Sequence, residues 1–269
     1  MAISREMRKR KNLTRKRRTR SRKSVKKYRA GLKSGGGEER AYIFIIPFRA
    51  RPPHEIRKEQ IKKCIDSIVS CFTKHNKKFE IIIAEQNNDH PFNMALLKNI
   101  GFLEGEKAYN MTKVYLHMNT DYYIDTSKDF PKELDDFNEE GILDIYTIDK
   151  EDKNHWVGGC CCFNAESFKK VNGFPNNIFG WGGCDTAFRY RLDKIGVKYI
   201  RNSLTDSGWI ISDDVTPRNG SNNESNIEKA KGDIMSNGLN TCKYTIDGIG
   251  ELHNESQHVN HMLINFSYP

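Results

Sequence analysis

Runs of apolar residues alternate with amphipathic stretches through the first half of the chain. The segments 41–48 (AYIFIIPF), 78–87 (KFEIIIAEQN) and 113–124 (KVYLHMNTDYYI) are rich in apolar residues, which is typical of strands buried on both faces. Between them, 54–75 repeats isoleucines at helical spacing, and 91–106 has a proline near the start of a second helix. This βαβαβ order predicts an α/β fold with a Rossmann-like, mostly parallel sheet and right-handed crossovers.

The second half of the chain has shorter and less regular segments. We expect a polar surface excursion at 125–144, then a strand, a glycine turn, a strand and a helix at 155–174, and a helix and a strand at 183–200. A long loop or lid should follow at 203–226. The last elements should be a helix that is closed by Gly238 and leads into a strand, at 226–248, and a closing strand at 258–269.

The excess positive charge is concentrated at the N-terminus. Met1 to Gly37 hold 16 Lys and Arg against one acid, whereas the rest holds 28 against 34 acids, so the net charge of +9 is the difference between +15 and −6. Like charges at this density repel, so we predict a disordered basic arm with a Gly-rich linker at 1–39 and a folded domain at 40–269. The arm is suited to nucleic acid or another polyanion through counterion release, or else it is a solubilising or targeting tail.

The seven cysteines are odd in number and include no CxxC pair, and three of them, Cys160 to Cys162, are consecutive. This predicts buried free thiols in a reducing compartment rather than a disulfide framework. No apolar run approaches the ~20 residues of a membrane helix, and no apolar core follows the N-terminal charges. We therefore expect no membrane span, no classical secretion signal, and an intracellular location, either cytoplasmic or in a nucleic-acid-rich particle.

Three polar groups are placed where ligands bind in such sheets, beyond the carboxyl ends of the strands. Arg49 and Arg51 follow the first strand and suit phosphate oxygens, unless they are ordinary surface arginines. Asp121 follows the third strand and could ligate a divalent cation, or cap a turn. Asp185 follows a pair of glycines ending at Gly183 and could act as a general base, or merely be the N-cap of a helix.

Two further groups of residues have alternative interpretations. Trp181 could stack on a sugar face or plug the core between glycines. His253, His258 and His261 resemble a metal cluster, but their surroundings alternate like a strand, which favours ordinary histidines.

Four segments in order carry a family pattern. They are IIPFRAR at 45–51, EQNNDHPFNMALLKNIGF at 85–102, WVGGCCCFNAESFKKVNGFPNNIFGWGGCD at 156–185 and IEKAKGDIMSNGLNTCKYTI at 227–246. The second is similar to the pattern Phe-Asn-Arg-Ala-x-Leu-Leu-Asn-Val-Gly-Phe of the β-1,4-galactosyltransferase family, and the series resembles that family from Ala41 to about Gly248. The resemblance implies the GT-A type of fold, which binds nucleotide sugars.

The resemblance also implies an activity. Such an enzyme moves a hexose of the galactose or N-acetylgalactosamine type from a uridine-diphosphate (UDP) sugar to a hydroxyl of a glycan or protein acceptor, with inversion and with Mn²⁺ or Mg²⁺. The implied positions are Pro47, Phe48, Arg49 and Arg51 at the nucleotide, Phe92 and Asn93 at the uracil, Gly159 under the sugar phosphate, Gly183 in the nucleotide-sugar site, Trp181 at the junction of donor and acceptor, Asp121 at the metal, and Asp185 as the catalytic carboxylate.

The chain departs from the family at the acceptor and nucleotide sides. Cys184 replaces the acid before Asp185, and Thr186 follows it, so the usual N-acetylglucosamine acceptor is not implied. Met94 replaces an arginine near the nucleotide.

The metal site is also altered. Asn119 replaces the first acid of the family's Asp-x-Asp, which leaves Asp121. The family's metal-binding histidine should fall near 211–212, where there is none, and Asp213 or Asp214 could supply oxygen ligands instead.

Two hypotheses follow from these departures. The first is an active glycosyltransferase with an altered acceptor. The second is a catalytically silent, glycosyltransferase-like structural or binding protein that its basic arm recruits to nucleic acid or another polyanion.

Overall fold

The structure, a computed structural model, describes most of the chain after the basic N-terminus. The described residues are 40–49, 56–107, 112–135, 141–145, 157–180, 182–201, 210–212, 223–232 and 234–267. The predicted arm at 1–39 and the candidate site residues Arg51, Trp181, Asp213 and Asp214 lie outside them. The domain boundary and the binding of polyanions therefore stay predictions.

The first half of the fold is the βαβαβ unit that the sequence predicts. Its elements are β1 (Ala41–Phe48), α1 (Ile56–Lys74), β2 (Lys78–Gln86), α2 (Met94–Gly105) and β3 (Lys113–Met118). β1 pairs in parallel with both β2 and β3 and is buried along its whole length. Its side chains enter two cores in alternation, because successive residues of a strand point to opposite faces.

The remaining elements extend this unit on both sides. They are β4 (Tyr122–Ile124), α3 (Phe130–Asp135), β5 (Ile142–Asp144), β6 (Cys160–Phe163), α4 (Ala165–Lys170), α5 (Cys184–Ile195), β7 (Tyr199–Arg201), β8 (Ile210–Ser212), α6 (Asn223–Ala230), β9 (Thr245–Ile249) and β10 (Val259–Asn265), with 3₁₀ turns at Ile234–Ser236, Leu239–Thr241 and Glu251–Glu255.

Eight strands form the central sheet in the order β7-β5-β6-β3-β1-β2-β10-β9. Four of the seven neighbouring pairs are parallel, which confirms the predicted α/β class with a mostly parallel sheet. β4 and β8 form a separate antiparallel pair.

The two faces of the sheet are covered by different helices. α1 packs through residues such as Ile61, Ile65, Ile68 and Phe72 into one core, and these recur at the spacing of one helical face. α2 and α5 pack into the other core. Among the described helices, none has both the length and the apolar character to cross a membrane.

Four predictions about the elements are wrong in detail. The strand predicted at 113–124 ends at Met118, and the chain turns there, so that β4 pairs with β8 instead. The excursion at 125–144 contains α3 and the buried strand β5, and β8 lies within the predicted loop at 203–226. The predicted helix at 226–238 begins at Asn223 and ends at Ala230. A strand of three residues is too short to show a recognisable sequence pattern, and its pairing with neighbouring strands determines that it forms.

The prediction of free thiols is confirmed. All seven cysteines are free, six are buried, and Cys242 is half-buried. Burial raises the pKa of Cys71 to about 11 and that of Cys242 to about 12, so these thiols stay protonated in the folded protein at neutral pH.

We expect the free energy of unfolding to fall as the pH rises above 9. Thiols in the unfolded chain ionise near pH 9.0, whereas folded Cys71 stays protonated until about pH 11, so unfolding releases protons between these values. The fall should be on the order of 1.4 kcal/mol per pH unit for each such thiol. Urea unfolding under reducing conditions at pH 8 to 10.5 measures it, and Cys71→Ala should lessen the slope. A flat profile over this range would contradict the prediction.

Candidate active site

The strand ends that the sequence marks as functional lie along one edge of the sheet. Phe48 is paired with Glu85 and Ile45 with His117, so β1, β2 and β3 end side by side. β6 runs the opposite way and begins at Cys160, opposite Met118. Arg49, the loop after β2, the turn after β3 and the segment 157–159 therefore share this edge.

Arg49 shapes the loop that follows β2. Its Nη1 donates to the carbonyl of His90 at 2.7 Å, and its Nη2 to that of Asn88 at 3.4 Å. Gln86 reinforces the same loop, since its Nε2 donates to the His90 carbonyl at 2.8 Å. Pro47 and Phe48 are buried in β1. The phosphate contact predicted for Arg49 stays a prediction, and these bonds fix where its guanidinium lies.

The loop continues into Phe92 and Asn93, which were predicted at the uracil. The Asn93 side chain is buried and caps α2 by accepting from the backbone N–H of Leu96 at 2.9 Å. Its amide donates to the carbonyl of Asn176 at 2.7 Å, and the Phe92 carbonyl accepts from the N–H of Gly180 at 2.7 Å. Both residues tie the strand edge to the glycine-rich turn, and their contact with a base stays a prediction.

The carboxylate of Asp185 lies in the first turn of α5. The N-cap of this helix is Gly183, whose φ of 84° is a left-handed conformation that favours glycine. The alternative that Asp185 is merely the N-cap is therefore wrong. Its Oδ1 lies 3.3 Å from Nζ of Lys98, and its side chain keeps 20% of its surface exposed. The carboxylate of Asp185 is thus anchored by Lys98 and partly exposed to solvent.

Lys98 is a site residue that the sequence analysis missed. Its side chain is fully buried, and its Nζ donates to the carbonyl of Gly158 at 2.6 Å as well as to Asp185. Burial has the largest single effect on Lys98 and lowers its pKa, but the charge and hydrogen bond of Asp185 together with the neighbouring Cys184 and Cys161 outweigh burial, so the pKa is raised. The only signal in the sequence was a lysine within the apolar stretch LLKNIGF.

Two glycines let the backbone pack closely against side chains at the strand edge. Gly158 has a φ of 133°, and a Cβ there would lie 2.9 Å from Oδ1 of Asp185. A Cβ on Gly159 would lie 3.1 Å from the hydroxyl of Tyr122. A side chain at Gly158 would therefore clash with the carboxylate, and one at Gly159 would crowd Tyr122, while the place of Gly159 under a sugar phosphate stays a prediction.

Asp121 lies in the turn after β3, as predicted, and it is engaged by a cation. Its Oδ2 lies 3.1 Å from Nη1 of Arg57, and its side chain is only 10% exposed. The buried Oδ1 of Asn119 makes no hydrogen bond with any described residue. Ser212, which precedes Asp213, is paired with Tyr122, which follows Asp121. Among the residues that the structure describes, no group of three His, Cys, Asp or Glu could hold a metal ion.

The acceptor-side positions differ from each other in burial. Cys184 is 5% exposed and belongs to the core, whereas Thr186 is partly exposed. The burial of Cys184 is unfavourable to its predicted contact with an acceptor, which stays a prediction.

Asn226 of α6 donates to the carbonyl of Gly182 at 2.9 Å, so α6 is attached to the glycine-rich turn.

Two of the C-terminal histidines make structural contacts. His261 is fully buried, with Nε2 2.8 Å from Oε2 of Glu85, and its Nδ1 accepts from the N–H of Leu252 at 3.1 Å. The ring of His258 stacks on Phe79 at 4.2 Å. These contacts match the interpretation as ordinary histidines.

The segment NGFPNN at 172–177 is a structural junction. Nη1 of the buried Arg191 donates to the carbonyls of Asn172 at 3.1 Å and Gly173 at 3.0 Å, and burial lowers the pKa of Arg191 to about 10. Asn99 of α2 donates to the Phe174 carbonyl at 2.7 Å. A Cβ on Gly238 would lie 2.0 Å from the Asn172 carbonyl. This part of the third family-like segment therefore joins α2, α5 and the C-terminal turns.

Comparisons with known proteins support the same architecture. A family model described as the N-terminal region of glycosyl transferase group 7 matches residues 10–124, and one described as the N-terminal domain of galactosyltransferase matches residues 149–208. β-1,4-Galactosyltransferase 5 of Sus scrofa is 27% identical over 164 residues, and β-1,4-galactosyltransferase 4 of Cricetulus griseus is 30% identical over 155. These alignments cover 58% and 55% of this chain, but only 39% and 43% of the relatives' own lengths.

Solved structures resemble the chain over more of its length. The catalytic domain of Drosophila β1,4-galactosyltransferase 7 in complex with xylobiose aligns with a TM-score of 0.61 and 20% identity, over 86% of this chain and 96% of that domain. A mutant of the same enzyme in complex with manganese, UDP-Gal and xylobiose aligns over the same shares with a TM-score of 0.59 and 19% identity.

The fold is that of the GT-A class of glycosyltransferases, as the sequence resemblance implied. The two family models and the similar galactosyltransferases identify the family within this class. The chain belongs to the β-1,4-galactosyltransferase family, as a divergent member.

Proposed function

We propose that this protein transfers a hexose from a UDP sugar to an acceptor hydroxyl. The observation that carries the proposal is the Asp185 carboxylate, which is partly exposed at the strand edge and anchored by Lys98 beside the Gly158 carbonyl. A partly exposed carboxylate that is paired with a fully buried lysine, at the edge where ligands bind in such sheets, is a candidate catalytic group. The solved Drosophila relative, which binds manganese, UDP-Gal and xylobiose, supports a UDP-sugar donor and a sugar acceptor.

Asp185 is suited to act as the general base. In an inverting transfer the acceptor oxygen forms a bond to the anomeric carbon while the bond from that carbon to the UDP oxygen breaks, and the electron pair leaves with UDP. The hydroxyl proton passes to Asp185. A carboxylate at the mouth of the site is the group that this proton transfer requires.

The leaving UDP carries negative charge that the site must balance. Arg49 at the end of β1 and Arg51 just after it are the candidates for the phosphate oxygens. The oxygens of Asp121 and Asn119 are donors of the kind that Mn²⁺ and Mg²⁺ accept, and the buried Asn119 Oδ1 without a described hydrogen bond is consistent with such a ligand. Asp213 or Asp214 would complete the set. A divalent ion held there would neutralise the diphosphate, and it would compete with Arg57 for the Asp121 carboxylate.

The donor sugar is proposed to be of the galactose or N-acetylgalactosamine type, since the relatives are named galactosyltransferases. The acceptor is proposed to differ from the usual one of the family, because Cys184 is buried and Thr186 has no charge. A glycan or a protein hydroxyl would serve.

A calorimetric titration of UDP with and without Mn²⁺ tests the proposal. We expect saturable binding that Mn²⁺ strengthens at least about tenfold, because the ion offsets the diphosphate charge. Asp121→Asn should remove most of this Mn²⁺ dependence, whereas Asp125→Asn, four residues on and in an exposed turn with Ser127, should keep it. The absence of any saturable UDP binding would contradict the proposal.

A further inference from the structure

Burying the charged side chain of Lys98 costs free energy, so the stability of the fold does not explain why a lysine lies at this position. Its side chain is fully inaccessible in a helix whose neighbouring residues form the core. Burying an ammonium group costs free energy unless acceptors compensate it, and an apolar residue in place of a buried ion pair is often as stable or more so. A role at the site is therefore the better explanation of this lysine.

The contacts of Lys98 join three segments that are far apart in sequence. Nζ donates to the Gly158 carbonyl at 2.6 Å and to Oδ1 of Asp185 at 3.3 Å, and it lies 4.9 Å from the centre of the Phe174 ring. The N–H of Val157 also donates to the Asp185 backbone carbonyl at 3.3 Å. One buried cation thus sets the carboxylate against the strand-edge segment 157–159.

The glycines around α5 make such an anchor useful. Gly180, Gly182 and Gly183 all have positive φ, and these three positions add no side-chain contacts to the turn that carries Asp185. The family pattern given above has leucine where this chain has Lys98, so the cation departs from that pattern. The groups that face Lys98 are Asp185 and Cys184 from α5, Cys161 from β6 and His117 from β3.

We propose that Lys98 is a positioning residue, which holds the Asp185 carboxylate beside the Gly158 carbonyl in the geometry needed to accept the acceptor's proton. The inference rests on the proposed function, because it takes Asp185 as the general base. Lys98 itself touches neither donor nor acceptor in this scheme.

The test is Lys98→Met, which removes the cation at similar length. We expect kcat to fall about 10- to 100-fold, since a misplaced catalytic group costs that much, while the KM for the UDP sugar and the calorimetric Kd for UDP change less than about threefold. Lys98→Gln, which keeps a donor toward Gly158, should lose less. Lys107→Met is the matched control, because Lys107 is 68% exposed just after the same helix. Unchanged kcat in a folded Lys98→Met protein would overturn the inference.

A double-mutant cycle with Asp185→Asn separates the two roles that Lys98 could have. If Lys98 acts through Asp185, adding Lys98→Met to Asp185→Asn should change the residual rate by less than about threefold. A wild-type protein that neither binds UDP nor turns over would refute the proposed function alone. The unfolding equilibrium constants of wild type, the two single variants and the double variant would then test the coupling between Lys98 and Asp185. A departure from additivity of at least about tenfold would support this coupling, and strict additivity would refute it.

Discussion

Asparagine in place of Asp185 should reduce sugar transfer by at least about 1,000-fold, because the amide cannot take the proton from the acceptor hydroxyl. UDP binding should stay within about threefold of wild type, since Asp185 lies at the acceptor side of the donor in the proposed scheme. The measurement is the rate of UDP release from a UDP sugar, with and without an added acceptor, on purified protein.

The matched control for this change is Asp193→Asn. Asp193 lies two turns further along α5, is 48% exposed and pairs with Nε of Arg189 at 3.2 Å. We expect this variant to keep full activity. A thermal melt of Asp185→Asn must accompany the assay, because Lys98 loses its anionic partner. Activity within about tenfold of wild type in a folded Asp185→Asn protein would remove Asp185 from the mechanism.

Alanine in place of Gly238 should destabilise the fold by about 3 kcal/mol or more, because its methyl group would lie 2.0 Å from the Asn172 carbonyl oxygen. That carbonyl is held by Arg191 at 3.1 Å and by the N–H of Leu239 at 2.9 Å, so relief of the clash breaks bonds at the junction. The melting temperature should fall by about 6–12 °C.

Gly248→Ala is the matched control for Gly238. An added methyl group there would meet only Cδ1 of Leu263 at 3.7 Å, which is ordinary contact. We expect a change within about 0.5 kcal/mol, as for most substitutions away from a crowded position. Equal melting temperatures of the two variants would show that the junction tolerates movement and would contradict the packing argument.

The long apolar runs made the main elements predictable from sequence. β1 and β2 are buried on both faces and read as continuous apolar segments, and their order with α1 and α2 predicted the parallel unit at the centre of the sheet. The strand-end positions of Arg49 and Asp121 followed from that order alone, because parallel strands end at one edge.

The short elements and the inner contacts of the site were not predictable in the same way. β5 has three residues and sits in a polar region, so only its pairing with β6 and β7 identifies it. Lys98 carries a charge that a hydropathy pattern assigns to a solvated helix face, and only the fold brings it to Asp185 and Gly158. Contacts between distant segments override the local pattern, and these are the contacts that build the site.

The bond between Lys98 and Asp185 spans 87 residues of sequence, and that between Lys98 and Gly158 spans 60. Both contacts are non-local, so each can form only after the intervening segment of the chain has closed into a loop. A polypeptide that ends before Asp185 therefore lacks the pair of lysine and carboxylate, although it already contains β1, β2 and β3. If Asp185 is the general base, as proposed, such a truncated polypeptide could not transfer a sugar.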